Sequence, residues 1–90
     1  MKNPINVMRL PEILNSYPVS RSTFYLKLKE GLLPPSIPLG DKAVGYIEHE
    51  YQAVLIAMIA GNNKEEIKKL VISLVNDRQQ LKQGASNVIS

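Results

Sequence analysis

Apolar residues recur along this chain at the spacing of short helices, interrupted once by a stretch where they do not. Leu10, Ile13, Leu14 and Tyr17 follow an i, i+3, i+4, i+7 pattern, which predicts a helix over Leu10 to Ser16. Pro11 and Glu12 suit its first turn, and Pro18 forbids its continuation. A second helix follows with both ends written in, SRSTFYLKLKEG. Ser20 serves as N-cap, its hydroxyl accepting from the amide of Ser22 or Thr23, and Gly31 stands where a left-handed residue closes the helix. Phe24 and Leu28 give it one apolar face, while Arg21, Ser22, Tyr25 and Lys29 fall mostly on the other side.

Beyond Gly31 the helical period stops. LLPPSIPLGDKAVGYI carries three prolines and two glycines in sixteen residues. It reads as two short strands, Ser36 to Leu39 and Ala43 to Ile47, joined by a Gly40-Asp41-Lys42 turn. Pro38 has no N–H to give to a ladder, so its strand belongs at an edge. The period returns from Glu48 to Ala60, with Tyr51, Val54, Leu55, Met58 and Ile59 as a broad apolar stripe ended by Gly61. Asn63 and Glu66 have the spacing of a capping box. They open a last helix expected from Lys64 to about Gln83, stopped by Gly84. Met1 to Arg9 reads as a loose arm with one extended segment around Ile5 to Met8.

Two short helices joined by Tyr17-Pro18-Val19, then a hairpin, form the pattern of a winged helix-turn-helix. The expected fold is therefore mostly α: a winged helix-turn-helix over residues 1–61 with a two-stranded β-hairpin wing, an additional C-terminal helix over 62–84, and a flexible tail over 85–90. Phe24, Leu28, Leu14, Tyr46 and Leu55 are core candidates. Ninety residues give only a marginal core, for which oligomerisation is a common remedy.

Composition narrows the chemistry. The chain has no cysteine and one histidine, His49, with only scattered acids near it, so no metal-ligand set is expected. The serines lack the signature of a paired base, and there is no Gly-rich phosphate loop, so neither catalysis nor a cofactor is expected. The longest apolar run, Ala53 to Ala60, falls well short of the ~20 residues of a membrane span, and the opening MKNPINVMRL lacks a signal-peptide core. A cytoplasmic setting is the expectation. The net charge of +3 lies wholly in residues 1–47, where Lys2, Arg9, Arg21, Lys27, Lys29 and Lys42 outnumber Glu12, Glu30 and Asp41. That bias favours a polyanionic partner.

Ser20, Arg21, Ser22 and Thr23 lie at a helix N-terminus, where amides and the dipole favour an anion. Arg21 suits guanine or a phosphate. Ser22 and Thr23 suit phosphate, and Tyr25 and Lys29 lie within one or two turns. From these residues alone, simple capping beside a solvated arginine explains the pattern equally well. Lys42 at the hairpin tip and Arg9 before the first helix are further backbone-contact candidates. On the last helix Ile67, Leu70, Val71, Leu74 and Leu81 line one side, with Arg78 interrupting. The 67/71/74/78/81 spacing alternates four and three, which favours a homodimer seam over a fold back onto the chain's own core.

Taken together, MRLPEIL and VSRSTFYLKLKEGLLPPSIPLGDKAVGYIEHE resemble the AlpA-type prophage regulators, small excisionase-like proteins with a MerR-like winged helix. The likeness runs from about Val7 to Ala60. Its most specific parts are SRST-Y, KEG before the prolines, and LG-x-x-AVG-Y-x-E-x-E. It implies sequence-specific binding of double-stranded DNA and transcription regulation. Within DNA binding the alternative is an excisionase that bends DNA. A different class, resting on the last helix outside the resemblance, is a protein-interaction module of antirepressor type that meets a phage or host regulatory protein. This chain departs from the family pattern in having Leu26 before Lys27 where a basic residue usually comes first. The change either removes a phosphate contact or makes Leu26 an apolar contact for a thymine methyl, with Lys27 laying its stem along the core edge. Pro38 and Asp41 also lower the wing's positive charge.

Overall fold

A computed structural model describes residues 5–17 and 19–89, with side-chain surroundings through residue 80. Residues 1–4, Pro18 and Ser90, including the expected helix stop at Pro18, lie outside the described residues. The elements run β1 (Val7–Met8), α1 (Leu10–Ser16), α2 (Arg21–Lys29), β2 (Ile37–Pro38), β3 (Val44–Ile47), α3 (Glu48–Ile59) and α4 (Lys64–Ile89). This is the predominantly helical winged arrangement with a C-terminal helix that the pattern predicted.

Local chemistry sets the helix ends. The Arg9 amide donates to Glu12 Oε1 at 2.9 Å, which satisfies one of the orphan donors at the start of α1. Ser20 caps α2, its Oγ accepting from the Thr23 amide at 3.2 Å. Gly31 and Gly61 both take positive φ, 79° and 89°. At each, two bonds close the helix: Leu32 N–H to Lys27 O with Gly31 N–H to Leu28 O, and Asn62 N–H to Ala57 O with Gly61 N–H to Met58 O. This is the Schellman closure that a residue without Cβ adopts most easily. The capping box at α4 is complete, with Asn63 N–H donating to Glu66 Oε1 at 2.8 Å and Glu66 N–H to Asn63 Oδ1 at 2.9 Å.

The wing differs from expectation. It has three antiparallel strands, ordered β1-β3-β2, in place of two. Val7 faces Ile47 and Met8 faces Tyr46 on one side of β3, while Ile37 and Pro38 face Gly45 and Val44 on the other. The extended segment around Ile5 to Met8 thus supplies a strand. It is tied further by Glu48 N–H to Asn6 O and by Asn6 Nδ2 to Glu48 Oε1. A Cβ at Gly45 would collide with Val7 Cγ1 and stand 2.9 Å from Leu39 Cδ1, so the bare backbone there lets the strands' side chains close over it. Pro38 does occupy an edge strand.

α4 also departs from expectation, continuing through Gly84 to Ile89. No stop at 84 and no irregular backbone over 85–89 is found, because an interior glycine costs a helix only about 1 kcal/mol. That is too little to end it without a following left-handed closure.

The core joins all the layers. Ile13, Tyr17, Phe24, Leu32, Leu33, Tyr46, Tyr51, Val54, Ile67 and Val71 are buried together, with Leu14, Leu28 and Leu55 packed at its margin. Phe24 lies edge-on to Tyr46 at 5.4 Å and stacked with Tyr51 at 6.0 Å. It therefore anchors α2 to the wing and to α3 at once. Of the stripe read as either a homodimer seam or a fold back onto the core, Ile67 and Val71 are buried in this chain's own core, and Leu70 and Leu74 pack against it half-buried. Leu81 lies among the residues whose side chains are not described.

Three tyrosines in this core resist ionisation. Burial pushes the Tyr17, Tyr46 and Tyr51 hydroxyls upward, Tyr51 furthest, and its hydroxyl donates to Pro34 O at 2.6 Å. Above pH ~10 the unfolded chain sheds these protons and the folded one keeps them, so stability falls as pH rises. The expected slope is at most about 1.4 kcal/mol per pH unit for each tyrosine. Urea unfolding as a function of pH between 8 and about 11 checks this; a flat profile would contradict it.

Candidate nucleic-acid interface

On α2 the inward face carries Phe24, fully buried, and half-buried Leu28. The outward face carries Arg21, Ser22, Tyr25, Leu26 and Lys29, all exposed. At 100° per residue these five span an arc of about 140°, a continuous flank one groove-width across. Tyr25 and Leu26 stay about half-exposed, 49% and 54%, which leaves their apolar surface uncovered by the protein. Lys27 is half-buried and lines a shallow concavity together with Tyr17, Leu32 and Ile67.

The flank is electrostatically open. Among the described residues the ion pairs are Lys68–Glu65 and Arg78–Glu50. Arg9, Arg21, Lys29 and Lys42 enter neither, and α2 has no acid in its first turn. These four cations are therefore not held in ion pairs by the described acids.

Ser20 and Thr23 play a narrower part than their residue types suggested. Ser20 Oγ accepts from the Thr23 amide and donates to Thr23 Oγ1 at 2.9 Å, so Ser20 is committed to the cap. Thr23, half-buried, keeps its own hydroxyl proton to give. Ser22 is exposed beside Arg21.

The remaining candidates sit on other elements of the same small body. Lys42 is exposed in the turn between β2 and β3, a turn closed by Leu39 N–H to Ala43 O at 2.8 Å. Arg9 is exposed at the junction of β1 and α1. The wing and α2 are held together through the Tyr46–Phe24 contact, so Lys42 and the α2 flank are carried by one packed unit.

Two concavities, of about 40 and 130 Å³, are small beside the several hundred Å³ of a typical ligand pocket. Among the described residues no three His, Cys, Asp or Glu side chains gather as a metal site, and His49 is exposed on α3. No described helix is long and apolar enough to cross a membrane.

One polar cluster escaped sequence reading. Glu50, 1% exposed, receives Arg78 Nε on Oε2 at 2.8 Å and Arg78 Nη2 on Oε1 at 2.6 Å. The same Nη2 donates to Pro35 O at 2.9 Å. The signal was present as an arginine interrupting an apolar stripe, but the partner is 28 positions away.

Comparison with known proteins gives a family and a relative. The family model described as prophage CP4-57 regulatory protein (AlpA) matches residues 6–53, from the start of the sheet to the middle of α3. Protein ORF88 of Enterobacteria phage P4 is 35% identical over 57 residues, 63% of this chain and 65% of the relative, so the alignment spans just under two thirds of that protein's length. No solved structure matches this chain.

Proposed function

This chain belongs to the AlpA family of prophage regulatory proteins, and from that premise we propose that it regulates by binding double-stranded DNA in a sequence-specific way. α2 enters the major groove by its exposed flank. Arg21 reads a base edge, guanine O6/N7 being the geometry its fork fits best. Leu26 covers a neighbouring thymine methyl. Ser22, Thr23, Tyr25 and Lys29 hold phosphates and sugar, Ser20 fixes the helix start, and Lys42 rests on the flanking backbone. Arg9 is a further backbone contact.

The observation that supports this most directly is the α2 flank itself. It presents a guanidinium, an ammonium, two hydroxyls and an apolar side chain on one exposed arc, with no described acid in an ion pair with either cation. A solvated helix face usually intersperses both signs of charge.

Selection of bound duplexes from a random pool, followed by sequencing, tests the reading. One enriched motif is expected, and a pool that stays random would refute sequence-specific binding. On the selected duplex, Arg21→Ala should weaken binding by about 1–3 kcal/mol and relax preference at one position. Lys42→Ala should weaken all sequences alike and lower the salt slope by about 1. An Arg21 variant with unaltered affinity and motif would remove that residue from the interface.

A further inference from the structure

Residues 32–36 link the end of α2 to the first strand of the wing hairpin. Leu32 and Leu33 are buried, and Pro34 and Pro35 follow. Neither proline has an N–H, so the Pro34-Pro35 pair offers neighbouring elements only its carbonyls. Both are taken, and from different helices. Tyr51 of α3 donates to Pro34 O at 2.6 Å, and Arg78 of α4 donates to Pro35 O at 2.9 Å. β2 begins two residues later at Ile37.

Arg78 reaches this carbonyl while its Nε and Nη2 also fork onto Glu50. A planar guanidinium serves three acceptors from one rigid plane; an ammonium on a flexible stem does not. Glu50 and Tyr51 are adjacent on α3, so the carboxylate that orients Arg78 and the hydroxyl that holds Pro34 share one backbone site. Buried ion pairs are often no more stabilising than an apolar pair of similar volume. What this one adds is a direction: it points a donor from α4 at one carbonyl of the wing's root.

We propose that Arg78 is a positioning residue that fixes the wing relative to α2, which makes α4 a working part of the interface although it lies beyond the family-matched residues 6–53. Its bearing on DNA rests on the function proposed above; its bearing on the wing does not.

Amide hydrogen exchange of the full chain, read by NMR, tests the mechanical claim. Two variants are used: Arg78→Lys, which keeps the charge but not the fork, and the paired Glu50→Leu/Arg78→Met, which keeps a packed apolar contact in place of a stranded carboxylate. In both, the Leu39 amide of the wing should exchange about tenfold faster while the Phe24 amide of α2 is little changed. An equal rise at both amides would mark general loss of stability and overturn the proposal. No rise at Leu39 would overturn it as well.

The second arm is a binding cycle on the selected duplex. If Arg78 acts through the wing, the paired variant should weaken binding in the wild-type background but add nothing once Lys42→Ala has removed the wing's contact. Fully additive losses would overturn the link to the interface. If the wild-type chain retains no duplex, the DNA reading fails, and the exchange comparison still decides whether Arg78 holds the wing.

Discussion

Phe24→Ala will destabilise the fold by about 3–5 kcal/mol, a large part of the 5–15 kcal/mol that usually separates folded from unfolded domains. The ring is wholly buried and meets both Tyr46 of the wing and Tyr51 of α3. Truncation removes its transfer free energy and opens a cavity between three elements that the backbone holds apart. The edge-on and stacked contacts with the two tyrosines are lost with it, each worth about 0.5–1.5 kcal/mol beyond burial. Urea denaturation with unchanged m-value and a much lower midpoint is the expected signature. A midpoint near wild type would show that the three elements collapse onto the gap, and that the α2 anchor is not this ring. Phe24→Leu, which refills most of the space, should recover most of the loss.

Arg78→Ala is the second large effect, about 3–5 kcal/mol, for a different reason. The substitution deletes three hydrogen bonds and leaves the Glu50 carboxylate, 1% exposed, without a cation. Stranding a buried charge costs more than the pair itself contributes, so the paired Glu50→Leu/Arg78→Met change should be far milder than Arg78→Ala alone. Thermal or urea unfolding of the two variants side by side gives the contrast. If both are equally damaging, packing of the arginine stem and not the stranded carboxylate sets the cost. The exposed pair Lys68–Glu65, at 4.0 Å on one face of α4, is the natural control, because surface pairs contribute about 0–1 kcal/mol.

These two residues also mark what sequence could and could not disclose. Phe24 was legible as core because helical period puts it, with Leu28, opposite Arg21, Tyr25 and Lys29. The exposed flank of α2 was legible for the same reason, as were both glycine stops, the Asn63–Glu66 box and the edge position of Pro38. Each follows from chemistry within about four residues. Glu50 with Arg78 was not, because no local rule links positions 28 apart. Read locally, Glu50 was an acid in a first turn and Arg78 a flaw in a stripe. Strand β1 was expected only as an extended segment, since two residues carry no period and its partner comes from the far side of two helices. The α4 stripe was read correctly as apolar, but periodicity says that a face is covered and not by what. Ile67 and Val71 are covered by their own chain. Removing residues 64–90 would therefore strip part of the core, so that deletion cannot separate a partner-binding role from the fold.

The pairing of Val7 and Met8 with Ile47 and Tyr46 has a consequence for synthesis. A ribosome extrudes the first strand well before the strand it joins, with α1 and α2 emerging in between. Helices this short gain little stability until their packing partners arrive, the sheet must wait for its middle member, and the Glu50 carboxylate waits longer still for the guanidinium that neutralises it. The nascent protein thus matures from its trailing end, and a chain stalled midway through α4 should remain open to proteases that the released molecule resists.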